Sequence, residues 1–137
     1  MKAIKYLLDT NIVSELVRHP QGSLVERLVN VGEDSVCISV VVAAELRFGA
    51  RKSTSARLRE QVEAVLSVLD ILPLEPPVDR HYAEIRHFLE TRGQPIGPND
   101  LLIAAHARAL GLTLVTANLR EFQRVPDLRV ENWLPAH

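Results

Sequence analysis

Tyr6-Leu7-Leu8-Asp9-Thr10-Asn11-Ile12-Val13-Ser14 joins a short apolar run to a carboxylate and then to two residues that favour helix starts. This pattern predicts a buried strand that ends by presenting Asp9 at the carboxyl edge of a sheet. In open parallel α/β sheets that edge is where ligands and ions bind. Thr10 and Asn11 are both N-cap types, so a helix is expected to begin at once. Asp9 would then lie beside the N–H groups of a helix N-terminus, which favours its ionised form. A capping Asp after a first strand is also common without any chemistry, so Asp9 gains weight only from what lies elsewhere in the chain.

Outward from this stretch, strands and helices alternate. Ile4 to Leu8 reads as the first strand and Asn11 to Arg18 as a short helix, broken by His19-Pro20-Gln21-Gly22. Ser23 can cap a second helix in which Leu24, Leu28 and Val31 share a face, with Gly32 ending it. Ser35 to Ile38 is a buried strand. Val40-Val41-Val42 are β-branched and would suit its extension, but Ala43 to Arg47 continue a helical pattern, so a helix is expected after Ser39. Gly49 is a mild cost inside that helix or a place of close packing. Leu58, Val62, Val65, Leu66 and Leu69 form a helical stripe that reads as core. Ile71 to Leu74 contains a proline and is expected at a sheet edge. Asp79 to Arg92 is a helix with Tyr82, Ile85, Phe88 and Leu89 inward. Pro98 suits the first turn of a helix that carries Asp100 and stops at Gly111. Leu112 to Thr116 and Leu128 to Val130 are the last strands, and Trp133 is expected to plug the core. The alternation predicts a three-layer α/β/α sandwich around a central, mainly parallel sheet.

Bulk properties narrow the function classes. The chain has 137 residues, 47% hydrophobic and 24% charged, which fits a single globular domain over residues 1–137. A net charge of −1 gives no global attraction to nucleic acid, so such binding needs local cations or bound metal. The lone Cys37 excludes a disulfide framework and a multi-cysteine metal site, and reads as a buried core residue. Lys2, Lys5 and Asp9 interrupt the start of the chain, and no run approaches the roughly 18 apolar residues of a membrane span. A cytoplasmic protein without membrane contact is the expectation.

Three acids share an unusual placement. Asp9 follows the first strand, Glu45 lies in the second turn of the helix after the second, and Asp100 opens a late helix. Asn118 leaves the strand after that. In a right-handed parallel sheet all four positions can meet at one rim. Carboxylates crowded there repel one another unless a cation sits between them. An all-oxygen cluster suits Mg²⁺ or Mn²⁺, with water completing the shell, and such ions activate water for attack on a phosphodiester.

Leu7-Leu8-Asp9-Thr10-Asn11, Ala44-Glu45-Leu46 with Gly49-Ala50, Asn99-Asp100-Leu101-Leu102-Ile103-Ala104-Ala105-His106-Ala107, and Leu114-Val115-Thr116-Ala117-Asn118 with Arg120-Glu121-Phe122 together resemble the PIN-domain ribonucleases. The resemblance is to the VapC/FitB-type toxins of bacterial toxin–antitoxin pairs, and it covers nearly the whole chain. It implies a small α/β/α domain, an Mg²⁺- or Mn²⁺-dependent endoribonuclease, a homodimer, an RNA substrate such as tRNA, and a cognate antitoxin that inserts a segment near the acids. Asp9, Glu45 and Asp100 match the three core acids of that family, with Asp9 and Asp100 binding metal directly and Glu45 binding it or orienting the nucleophile through water. Asn118 falls where many members have a fourth acid. It supplies no charge, and Glu121 is a candidate to compensate.

Thr10, Asn11, Ser39 and Thr116 are candidates either to hold the carboxylates or simply to cap helices. Arg47, Arg51, Lys52, Arg120 and Arg124 are candidate phosphate contacts, each also readable as plain solvated surface. His106, mid-helix in an apolar segment, reads as packed rather than catalytic. Excess apolar surface on the Leu58–Leu69 or Tyr82–Leu89 helix would suit a dimer contact. Two other readings compete. A phosphohydrolase with Asp9 as nucleophile, of haloacid-dehalogenase type, needs a second Asp where this chain has Asn11. A catalytically weak or inactive PIN-like module that binds nucleic acid or protein is favoured by the missing acid at 118 and opposed by the three that remain.

Overall fold

The computed structural model describes residues 3–135 and contains a parallel sheet with strand order β3-β2-β1-β4-β5. The strands are short: β1 Tyr6–Leu8, β2 Val36–Ser39, β3 Asp70–Leu72, β4 Thr113–Val115 and β5 Val130–Glu131. Helices α1 Thr10–Arg18 and α2 Ser23–Val31 connect β1 to β2. Helices α3 Val40–Lys52 and α4 Ala56–Val68 connect β2 to β3. Helices α5 Val78–Thr91 and α6 Pro98–Leu110 lead to β4, and the single turn α7 Leu119–Phe122 precedes β5. Right-handed crossovers place α1–α4 on one face and α5–α7 on the other. The three expected layers are therefore present.

The strand order carries the functional consequence. From β1 the chain steps outward through β2 to β3, then returns across the sheet to add β4 and β5 on the other side of β1. The winding direction reverses at β1, so the crevice at its carboxyl end is the switch point where such sheets take ligands. Leu8 pairs with Val115 on β4 and Leu7 with Cys37 on β2, and the Asp9 N–H donates to the Val115 carbonyl at 2.8 Å. Asp9 is thus tied to the centre of the sheet.

The middle strands are buried on both faces, which is why they read as continuous apolar runs rather than alternating ones. Leu7, Leu8, Cys37, Ile38, Leu114 and Val115 are fully covered. Each buried Leu or Ile of this kind contributes about 1.5–3 kcal/mol of transfer free energy. β3 sits at the edge, as its following Pro73 requires. Burial pushes the Cys37 thiol up to about 12, with Asp70 nearby adding repulsion, so it is an inert core thiol. Trp133 is buried edge-on against Tyr6, ring centroids 5.0 Å apart.

Several local expectations change. The N-cap of α1 is Asp9 itself, not Thr10 or Asn11: its Oδ1 accepts from the Thr10 N–H at 2.8 Å. The helix starts one residue earlier because the carboxylate, held at the sheet edge, already satisfies the first free N–H. Ser35 lies in a 3₁₀ turn, Glu33–Ser35, rather than in β2. Helix α3 begins directly at Val40, since the Ser39 hydroxyl accepts from the Val41 N–H at 3.1 Å and overrides the β-branched preference. A Cβ on Gly49 would meet nothing within 4 Å, so this glycine marks open space and no close contact. The α4 stripe divides: Val62 and Leu66 are buried, whereas Leu58, Val65 and Leu69 are only partly covered.

Candidate active site

Four elements bring the acids to the carboxyl end of β1. Asp9 follows β1 directly as the N-cap of α1, Glu45 comes from the second turn of α3, Asp100 from the first turn of α6, and Glu121 from α7. Pro98 opens α6 without wasting a donor, and Asp100 follows in its first turn. A cavity of about 370 Å³ is lined by Asp9, Glu45 and Asp100, together with Thr10, Asn118 and Arg18.

Asp9 is buried and both of its oxygens are held. Oδ1 accepts from the Thr10 N–H, and Oδ2 accepts from the Thr116 hydroxyl at 2.8 Å. The Thr116 oxygen in turn accepts from the Asn118 N–H at 2.9 Å. A carboxylate offers about four lone-pair positions, so each Asp9 oxygen keeps capacity for a cation. Burial lifts its pKa, an effect the two hydrogen bonds oppose and the charges of Glu45 and Glu121 reinforce. Glu45 is half-buried. Its Oε1 accepts from the Thr10 hydroxyl at 2.5 Å and its Oε2 from the Asn99 amide at 3.4 Å. Thr10 therefore ties two of the acids together, one through its N–H and the other through its side chain.

Asp100 carries the strongest electrostatic signal. Its pKa is pushed up to about 7, first by burial, then by a side-chain hydrogen bond with Glu121, and then by the charges of Glu121, Asp9 and Glu45. All four acids thus feel one another. Glu121 is the fourth member and the residue that the sequence leaves ambiguous. Asn118 does not take the place of an acid: its amide donates to Glu121 Oε2 and so aims that carboxylate. Glu121 lies one turn beyond Asn118, in a helix too short to show any periodicity in the sequence.

The remaining candidates separate cleanly. Thr10 and Thr116 hold carboxylates. Asn11 accepts from the Ala117 N–H at 3.1 Å, pinning the loop after β4. Ser39 caps α3 and also contacts His106 Nδ1 at 2.9 Å, so it serves the scaffold and no carboxylate. His106 is buried and packed, as its apolar surroundings suggest. Burial depresses its pKa, against the opposing charge of Glu75 and a backbone hydrogen bond at Pro73. Among the candidate RNA cations, Arg47 is already engaged by both oxygens of Glu63 at 3.1 Å, and Lys52 lies over the Phe48 ring at 4.7 Å. Arg18, which no sequence pattern singles out, also lines the acid cavity.

The donor set fits a hard divalent cation. It is all oxygen, and the Asp100 pKa is raised first by burial and then by its acidic neighbours, so a positive charge there would favour the ionised form. Among the described residues, no three His, Cys, Asp or Glu side chains converge to hold one ion. Mg²⁺ and Mn²⁺ bind through one or two carboxylates and keep several waters, so they would not require a full protein cage.

The PIN-domain family model matches residues 6–128, which include all four acids. The chain belongs to the PIN-domain family. Within that family it is similar to VapC ribonucleases. It is 43% identical to a VapC2 ribonuclease of Haemophilus influenzae over 96% of this chain and 99% of that protein. It is 40% identical to the tRNA(fMet)-specific endonuclease VapC of Shigella flexneri, over 95% and 98% of the two chains. The Rickettsia felis VapBC2 structure, bound to a promoter DNA fragment, superposes with a TM-score of 0.89 at 38% identity, over 95% and 99%. The PIN fold thus confirms the architecture read from the sequence, and the haloacid-dehalogenase reading is discarded.

Proposed function

We propose that this VapC-type ribonuclease is the toxin of a toxin–antitoxin pair and cuts a tRNA in a reaction that requires Mg²⁺ or Mn²⁺. One observation carries the reading: four carboxylates from four separate elements share one rim, with Asp100 raised to about 7 by burial and by its acidic neighbours. Such crowding lowers the stability of the metal-free fold, and a site that concentrates it offers what a phosphodiesterase needs. A divalent ion bound there supplies a Lewis acid and lowers the pKa of water. The chain's own part is to hold the ligands still. Thr10 and Thr116 fix Asp9, Thr10 and Asn99 fix Glu45, and Asn118 aims Glu121 toward Asp100. Asp9 and Asp100 are the direct metal ligands in this reading. Glu45 and Glu121 orient water, and Asn118 is a positioning residue.

The tRNA assignment rests on relatives named as tRNA(fMet)-specific endonucleases. The antitoxin assignment rests on solved relatives that are VapBC assemblies. An apolar groove of about 260 Å³, between Val17, Leu46, Leu58 and Val62, opens beside the acids and shares Thr10, Ser14, Arg18 and Glu45 with the acid cavity. A protein segment seated there would end next to the carboxylates, which is how an antitoxin could block them. A cytoplasmic location follows from the substrate, and no described helix is long and apolar enough to cross a membrane. A homodimer is part of the same reading.

A cleavage assay on in vitro transcripts tests it. The expected result is cutting of tRNA(fMet) in Mg²⁺ or Mn²⁺, none in EDTA, and suppression by the protein encoded next to this one. Cutting that persists in EDTA, with a preparation shown free of other nucleases, would overturn the metal-dependent reading.

A further inference from the structure

We infer that Arg18 holds the RNA phosphate next to the one being cleaved, an inference that rests on the nuclease reading above. Arg18 is the only Lys or Arg among the described residues that lines the acid cavity. The other residues there are three acids and five neutral side chains, so Arg18 is the one lining side chain whose charge attracts a phosphodiester. The backbone geometry places Arg18 with some care. Asn11, Ser14 and Arg18 recur at i, i+3 and i+7 along α1, which puts them on one face of the helix that Asp9 caps. Thr10 and Arg18 are separated by about 12 Å of helix rise. Helical side chains tilt toward the N-terminus, and the Arg18 side chain lines the cavity with Asn11 and Ser14 while its Nη2 lies 3.8 Å from Glu15. It is therefore set off from the carboxylates and suited to a neighbouring phosphate.

The charge is also available. Arg18 is 64% exposed, and its ion pair with Glu15 spans 3.8 Å, too long for a firm hydrogen bond. Arg47, by contrast, is spent on Glu63 through two bonds of 3.1 Å. A guanidinium offers a planar fork that matches phosphate, and here it stands at the end of α1, where the helix dipole favours a cation.

The test uses a labelled tRNA(fMet) transcript in one Mg²⁺ buffer, with affinity read by fluorescence anisotropy and cutting read on a gel. Wild type, Arg18→Ala and Arg18→Lys are compared across salt concentrations. Arg18→Ala is expected to weaken binding about 5–10-fold and to flatten the log–log salt slope by about one ion, with Arg18→Lys restoring most of both. Unchanged affinity and slope in Arg18→Ala would overturn the inference. So would a variant that binds RNA like the wild type but loses its antitoxin, which would assign Arg18 to a protein carboxylate. If the Arg18 effect is intact but wild type leaves the RNA uncut, the nuclease reading fails by itself.

Discussion

Asp9→Asn is expected to lower RNA cleavage by about 10²–10³-fold while leaving the fold in place, as befits loss of a charged group at the reacting centre. The substitution is nearly isosteric. Its carbonyl oxygen can still accept from the Thr10 N–H, and the Thr116 hydroxyl can turn to accept from the new amide. Removing a buried carboxylate whose pKa is already lifted by desolvation also removes a cost, so the melting temperature is expected to hold or rise. Single-turnover cleavage and circular dichroism on the same preparation check both halves. Activity within a few-fold of wild type would contradict the role given to Asp9. Lost activity together with a lost fold would assign Asp9 to structure alone.

The second large effect is on stability against pH, and it reverses the usual carboxylate behaviour. In the metal-free fold Asp100 holds its proton up to about 7, against 3.8 in an unfolded chain. Between those values the folded state binds more protons, so stability falls as pH rises from about 4 to 7 and the loss is complete above 7. The group is only half-buried, so after allowance for solvent screening the loss is about 1–2 kcal/mol. Asp100→Asn cannot ionise and escapes it. In EDTA the variant is expected to melt about 3–6 °C above wild type at pH 8, with the gap closing toward pH 4. His106 acts in the opposite direction. Its folded pKa is lowered by burial, so the stability it contributes is present above 6.5 and lost as pH falls. His106 is the same in both proteins, so their difference leaves it out and reports Asp100 together with the acids coupled to it. A gap that is constant across pH would contradict the repulsion.

Much of this was readable from residue order because it rests on strong, local signals. Four strand positions could be placed because each holds a short apolar run bounded by turn or cap residues, whereas the last, expected over Leu128 to Val130, is Val130–Glu131 and shares one residue with that stretch. Asp9 and Glu45 stand out because each follows such a run closely, and Asp100 because it opens a helix behind a proline. The right-handed crossover rule then sends all three to the same rim. What could not be read depends on geometry between side chains. Glu121 was ambiguous because α7 is a single turn with no period to place it. The part Asn118 plays depends on where its amide points. Asp9 as its own helix cap, and the scaffold role of Ser39, follow from competition for N–H groups that residue preferences alone leave open. Arg18 was passed over because a basic residue in the last turn of a helix has a ready explanation in the helix dipole. Only the shape of the cavity gives it a second use.

The central claim is that Asp9 and Asp100 hold a divalent cation, with Glu45 and Glu121 acting on it through water. Calorimetric titration of Mn²⁺ into the metal-free protein near pH 7 addresses it most directly, comparing wild type with Asp9→Asn and Asp100→Asn. Saturable binding in wild type, weakened at least about 10-fold by either substitution, is the expected result. Identical Mn²⁺ affinity in all three proteins, or no binding to any of them, would contradict it.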